Sequence, residues 1–248
     1  MIDNWLERST LLLGNEKLEY LKSLTIAVVG LGGVGAYAAE MLARAGVGSM
    51  IILDADNINP SNKNRQLLAL ESTMGQSKAQ LMYNRLMDIN PALKIIVIKE
   101  FLTQENVDEI LSHRPIDYIV DAIDTLSPKI ALIQFALRNS IKIVSSMGAG
   151  AKTDATKIKI KDISKSFNCP LAYMLRKRLR KVGISKGFNV VFSEELPDED
   201  AIIAVEEQNK KSMVGTISYL PPVFGCICAQ AVLEDLLGLN KKNDYICN

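Results

Sequence analysis

The sequence is poor in the side chains that do most acid–base and nucleophilic chemistry. Its only histidine is His113, it has a single tryptophan, and none of its four cysteines (Cys169, Cys226, Cys228 and Cys247) stands in a CxxC pair. Without paired cysteines there is no zinc spacing, and four thiols in 248 residues do not make a disulfide framework, which points to a reducing compartment. The amino-terminal MIDNWLERS is acidic and polar where a secretory signal needs an apolar run. The apolar stretch from Val214 to Leu237 is broken by Pro221-Pro222 and ends in Glu234-Asp235, so no spanning helix is expected. These absences together predict a cytoplasmic protein with no membrane attachment. Net charge is also nearly absent, at +1, but it is unevenly spread. Between Ala151 and Val190 eight lysines and three arginines face only Asp154 and Asp162, a local excess that could attract a polyanion.

With 48% apolar and 23% charged residues, the chain can bury a full core as one globular unit spanning 1–248. Short apolar runs alternate with helical stretches up to residue 146: TIAVVG (Thr25 to Gly30), SMIILDAD (Ser49 to Asp56), KIIVIKE (Lys94 to Glu100), DYIVDAID (Asp117 to Asp124) and IKIVSS (Ile141 to Ser146). Continuous apolar runs between helices indicate parallel strands covered on both faces, so the expected fold is α/β with a doubly wound, mainly parallel sheet. From 147 to 248 the pattern changes to a basic α+β extension. KIKIKDI (Lys157 to Ile163) alternates like a half-exposed strand, and a basic helix is expected from Cys169-Pro170, with Pro170 at its first position. On that helix Leu171, Met174, Leu175, Leu179 and Val182 should form the apolar stripe. Arg176, Lys177 and Arg180 should point away from it, and Arg178 should fall on the apolar side. SEELPDEDA (Ser193 to Ala201) reads as a mobile acidic loop.

GLGGVG, Gly30 to Gly35, follows a strand and opens a helix. Gly30, Gly32 and Gly35 let the backbone approach a phosphate, and the helix N-terminus offers free N–H groups. Asp54 ends the next strand, where a carboxylate can take ribose hydroxyls. To this point an NAD-dependent dehydrogenase fits as well as an ATP enzyme. The cluster Asn62, Asn64, Arg65, Gln66 and Lys78 has no obvious place in hydride transfer, whereas Arg and Lys together can hold a triphosphate. Asp124 lies at the carboxyl edge of the sheet, where an acid facing phosphates is most simply a magnesium ligand. Asp121, three residues earlier within the strand, is read as structural.

In this order the glycine loop, Asp54, NKNRQ (Asn62 to Gln66), Lys78 and Asp124 resemble the adenylating domain of the ubiquitin-activating-enzyme-like superfamily. The resemblance implies a Rossmann-like domain that transfers AMP from ATP to a carboxylate. Gly30, Gly32, Gly33, Gly35, Asp54, Asp56, Asn62 and Gln66 would line the nucleotide, Arg65 and Lys78 would act on its phosphates, and Asp124 would hold magnesium. Arg8 looks like the arginine that such dimers send into the neighbouring active site.

The second half, from SSMGAGAKTDATKIKIKD (Ser145 to Asp162) through GTISYLPPVFG (Gly215 to Gly225), resembles the tRNA threonylcarbamoyladenosine dehydratase family. That likeness departs at Ala151 and Ala155, where Asn and Pro are expected. It implies ATP-dependent cyclisation of the threonylcarbamoyl group on an anticodon-loop adenosine through an acyl-adenylate, with Arg176, Lys177, Arg180 and Lys181 on the tRNA backbone and a homodimer as the assembly. A monovalent cation and a sulfur-transfer partner protein are compatible with it. The alternative is an adenylating activator of a small sulfur-carrier protein, but that branch typically carries the CxxC…CxxC zinc site this chain lacks. Cys169 lies where a thioester cysteine could stand; a structural role is the simpler reading.

Overall fold

The five apolar runs of the first half become strands; four are buried on both faces, and the run at Lys94–Ile98 is a half-exposed edge strand, with Ile96 41% exposed. The computed structural model describes residues 4–207 and 210–239, so the fourth cysteine, Cys247, lies outside the described residues. In chain order the strands are β1 (Thr25–Val29), β2 (Ser49–Leu53), β3 (Lys94–Ile98), β4 (Tyr118–Asp121), β5 (Lys142–Ser146), β6 (Ile158–Asp162), β7 (Asn189–Ser193), β8 (Ile202–Glu207) and β9 (Lys210–Val214). The first seven form one sheet in the order β3-β2-β1-β4-β5-β7-β6, and β8 and β9 form a separate antiparallel hairpin. All pairings in the large sheet are parallel except β6 with β7.

The helices are α1 (Glu7–Leu13), α2 (Asn15–Ser23), α3 (Gly35–Arg44), α4 (Lys78–Ile89), α5 (Val107–Leu111), α6 (Leu126–Arg138), α7 (Pro170–Arg180) and α8 (Leu220–Leu237). Alternation along β1 divides the interior in two. Ile26 and Val28 join a core with Leu42 of α3, Met82 of α4 and Phe224 of α8. Ala27 and Val29 join another with Ile110 of α5, Leu132 of α6 and Leu175 of α7. A sheet clothed on both faces in this way is the doubly wound arrangement. Strand order reverses between β1 and β4, which opens a crevice at their carboxyl ends, and the glycine loop and the Asp124 loop both leave the sheet there.

Several expectations need correction. The basic extension adds β7 and β6 to the same sheet, and β7, unanticipated, inserts between β5 and the half-exposed edge strand β6. Pro221-Pro222 do not interrupt the apolar stretch, because they occupy the first turn of α8, where a missing N–H costs no hydrogen bond. By length and composition α8 could cross a membrane. Here, however, Phe224, Cys228, Ala229, Ala231 and Val232 are buried, and the helix packs so closely on α3 that a side chain on Gly225 would stand 2.3 Å from the Val34 carbonyl oxygen. On α7 the buried stripe is Ala172, Leu175 and Leu179. Met174, Val182 and Arg178 are exposed instead, so Arg178 needs no apolar accommodation. The acidic loop is tethered: the Glu195 carboxylate accepts the Thr153 and Asp154 amides, and the Asp198 amide donates to the Ala151 carbonyl.

Candidate functional site

The glycine loop is shaped by contacts that only glycine allows. Gly30 has φ +89°, and a Cβ there would stand 2.8 Å from the Ala122 carbonyl oxygen; one on Gly35 would overlap the Gly30 carbonyl oxygen at 1.8 Å. The loop between β1 and α3 therefore lies directly against the Ala122–Ile123 turn that follows β4. Gly33 faces Arg65 and Pro221, at 3.3 and 3.0 Å from its would-be Cβ, which brings the NKNRQ segment and the start of α8 to the same loop. A Cβ on Gly32 would meet nothing closer than the Gln66 amide nitrogen, at 3.7 Å. That face is an open cradle.

Asp54 follows β2 and is buried. Its Oδ2 accepts the Leu31 amide at 2.6 Å and its Oδ1 the Asp56 amide at 2.8 Å. Burial raises its carboxyl above the ordinary range, while the Lys78 ammonium and the two amides pull the other way. Before any ribose is bound, Asp54 thus fixes the entry to the glycine loop. Lys78, at the start of α4, is also buried; its Nζ lies 2.8 Å from Asp56 Oδ2, so the expected phosphate cation is held by the neighbouring expected ligand. Arg65 donates from Nη1 to the Ser61 carbonyl at 3.0 Å and to Asn64 Oδ1 at 2.8 Å. Asn62 is buried and caps its own turn, accepting the Asn59 amide. Gln66 is buried as well, and its Oε1 has no hydrogen-bond partner. An orphaned amide oxygen beside a glycine cradle fits a ligand with donors, such as a nucleotide.

Asp124 is exposed and lies three residues beyond the end of β4, in the loop rather than at the strand's end. Asp121 ends the strand and is wholly buried: its Oδ2 meets Lys129 Nζ at 2.7 Å and accepts Ser145 Oγ at 2.6 Å, and its Oδ1 accepts the Ile123 amide at 3.1 Å. The carboxylate read as structural thus anchors the turn that carries Asp124. Lys129 was missed by the sequence reading, although a lone lysine within SPKIALIQFAL, eight residues after an acid, is a signal for a buried pair.

Arg8 is exposed on α1. His113 lies on an exposed turn. Cys169 is buried as the N-cap of α7, with Sγ accepting the Ala172 amide. Burial pushes the Cys228 thiol up to about 12. Among the described residues no three His, Cys, Asp or Glu side chains converge to hold a metal ion. The segment before α8 also borders the cradle: Asn64 donates from Nδ2 to the Thr216 carbonyl, and the Tyr219 hydroxyl donates to the Thr153 carbonyl.

The sequence pattern of the ThiF family matches residues 6–247. The chain belongs to the ThiF family. Within that family it is similar along nearly its whole length to the tRNA threonylcarbamoyladenosine dehydratase of Bacillus subtilis, at 44% identity over 93% of both chains. The crystal structure of the Escherichia coli tRNA N6-threonylcarbamoyladenosine dehydratase in complex with ATP superposes with a TM-score of 0.87 at 33% identity, covering 98% of this chain and 99% of that one. By contrast, a sulfur carrier protein adenylyltransferase of Thermus thermophilus, 38% identical, matches only 45% of this ThiF-family chain.

Proposed function

We propose that this protein is an enzyme that uses ATP to cyclise the threonylcarbamoyl side chain of a modified adenosine in the tRNA anticodon loop, through an acyl-adenylate. The observation that carries this reading is the likeness to the Bacillus subtilis dehydratase, 44% identical over 93% of the chain, where a sulfur carrier protein adenylyltransferase matches 45% of the chain and a molybdopterin-synthase adenylyltransferase 61% at 28% identity. The site supports it, because the cradle at Gly32, the unpartnered Gln66 oxygen and the cations Arg65 and Lys78 converge at one edge of the sheet.

In this reading the glycine loop, Asp54, Asp56, Asn62 and Gln66 hold the nucleotide, and Arg65 and Lys78 neutralise its phosphates. Lys78 would leave Asp56 for the phosphate or share its charge between them. Asp124 would hold magnesium, a metal that usually takes one or two carboxylates plus phosphate oxygens and so needs no protein-only cluster. The metal would supply charge neutralisation at the phosphates. The substrate carboxylate attacks the α-phosphorus and pyrophosphate leaves; the ureido oxygen of the same side chain then attacks the acyl carbon and AMP leaves, a net loss of one water. Tethering gives that second attack an effective molarity of about 10⁵ M or more, so no enzyme nucleophile is needed. This accounts for a reading that assigns no catalytic step to histidine or to the buried Cys169 and Cys228.

Arg176, Lys177, Arg180 and Lys181 are read as contacts to the tRNA backbone. A homodimer is inferred from α1, where Leu11 and Leu12 are 83% and 80% exposed beside Arg8, an apolar face for a second copy to cover. A cytoplasmic location is inferred along with the tRNA substrate.

The test is nucleoside mass spectrometry of tRNA carrying the linear modification, incubated with the protein and magnesium ATP. Loss of one water that depends on ATP is expected. An unchanged nucleoside from protein that still binds ATP would turn the reading toward the sulfur-carrier activator, with a partner ending in Gly-Gly as its substrate.

A further inference from the structure

Aromatic side chains make up only 6% of this sequence, yet two of them stand exposed within the basic surface. Tyr173 is 58% exposed on α7, and Phe167 is 43% exposed just before it. At helical spacing Tyr173, Arg176, Lys177 and Arg180 share an arc of about 100° flanking the buried Ala172, Leu175 and Leu179, with Arg176 half-buried at its near edge and Tyr173, Lys177 and Arg180 exposed. Phe167 is fixed from behind: it meets the buried Phe192 edge-on at 5.5 Å, and Lys161 Nζ stands 5.6 Å from its ring centroid. The two aromatics are joined across the surface, because Arg176, one turn after Tyr173, donates to the hydroxyl of Ser166, the neighbour of Phe167. The patch is therefore continuous: Phe167, the Ser166–Arg176 link, Tyr173, then Lys177 and Arg180.

Cations alone suit any phosphate backbone, and a duplex stem would satisfy them. Exposed rings set among cations suit something more particular, a strand whose bases are unstacked and can lie on the rings while its phosphates meet the charges. We propose that Tyr173 and Phe167 form a stacking platform for unpaired bases of an RNA loop, so that this surface distinguishes a loop from a stem. The inference rests on the tRNA reading above and adds to it the basis for recognising the loop.

The experiment is equilibrium binding of the full chain to an anticodon stem-loop and to a blunt duplex of the same stem, across a salt series. Stacking on one ring contributes on the order of 1–3 kcal/mol per base, so Tyr173→Ala should weaken stem-loop binding by about tenfold, leave duplex binding unchanged and leave the slope of log K against log salt unchanged. Tyr173→Trp should retain the affinity. Lys177→Ala should do the opposite, lowering the slope by about 0.7–0.9 for both RNAs. Equal stem-loop affinity for Tyr173→Ala and the parent protein, or equal losses on stem-loop and duplex, overturns the platform while leaving the tRNA reading standing. A parent protein that binds neither RNA overturns both. Because Tyr173 is largely exposed, its replacement leaves the fold intact.

Discussion

At the nucleotide site, Asp54, Lys78, Asp121 and Lys129 are drawn inward and matched. Lys129 and Asp121 meet at 2.7 Å with neither side chain exposed, Lys78 is buried against Asp56, and Asp54 is filled by two backbone amides. On α7 the opposite holds, with Lys177, Arg178, Arg180 and Lys181 standing in solvent. Not all of the basic excess is available, since Lys152 is buried on the Asn168 and Ser193 carbonyls and Lys161 is paired with Glu194. In one region charge is architecture that shapes a site; in the other it is surface held ready for a partner. The same residue types thus predict different losses on mutation, in folding on one side and in binding on the other.

The comparison is tested most severely at the buried pair. Lys129→Met leaves Asp121 charged and unpaired in a dry interior, and should cost about 3–5 kcal/mol in a urea unfolding titration. Adding Asp121→Asn should recover much of that loss, because the amide oxygen can still accept the Ile123 amide. A cost below about 1 kcal/mol for the single variant would mean that the pair is solvated, as the charges of α7 are. Asp124→Ala comes next. As the exposed member of the same loop it should lower ATP-dependent turnover by about a hundredfold or more, while the unfolding free energy changes by no more than about 0.5 kcal/mol. Near-normal turnover would remove Asp124 from the proposed magnesium site.

On the other side of the comparison, neutralising Arg176, Lys177 and Arg180 together should flatten the salt dependence of tRNA binding by about 2 units of slope, with a stability change of no more than about 1 kcal/mol. Arg176 also bonds Ser166, so a small stability loss from that member alone is compatible with the picture. A slope that stays as steep as the parent's would place the tRNA elsewhere on the molecule.

How much of this was legible beforehand follows from how local each signal is. The five strands of the first half could be read because their apolar runs are continuous and bounded by helices, and the start of α7 because Pro170 fits only a first turn. The glycine loop and Asp54 could be located, but not their bond to each other, since a carboxylate reaching back 23 residues to the Leu31 amide leaves no periodic trace. β7 was hidden because its placement between β5 and β6 is a tertiary choice. The rotation of α7 away from the expected stripe has a similar origin. Small Ala172 lies in the buried seam beside Leu175 and Leu179, and the helix turns to bring it there, leaving Met174 and Val182 outside.

The smallest expected effect sits where the chain departs from its relatives' expected Asn. Ala151 is held at φ +56°, in the left-handed region, by its amide on the Gly215 carbonyl and its carbonyl under the Asp198 amide. An alanine there carries strain on the order of 1 kcal/mol that an asparagine largely avoids. The neighbouring cavity of about 330 Å³, lined by Thr153, Glu195, Asp198 and Thr216, offers room and polar partners for the amide. Ala151→Asn should therefore stabilise the protein by about 0.5–1 kcal/mol and raise the melting temperature by about 1–4 °C, the range expected for a chain of this size. Because the bonds that hold residue 151 involve neither Asp121 nor Lys129, the gain should add to the Lys129→Met loss without interaction. A lower melting temperature would mean that the loop, having closed around alanine, cannot admit the amide, and that the conformation outlasted the residue type that favours it.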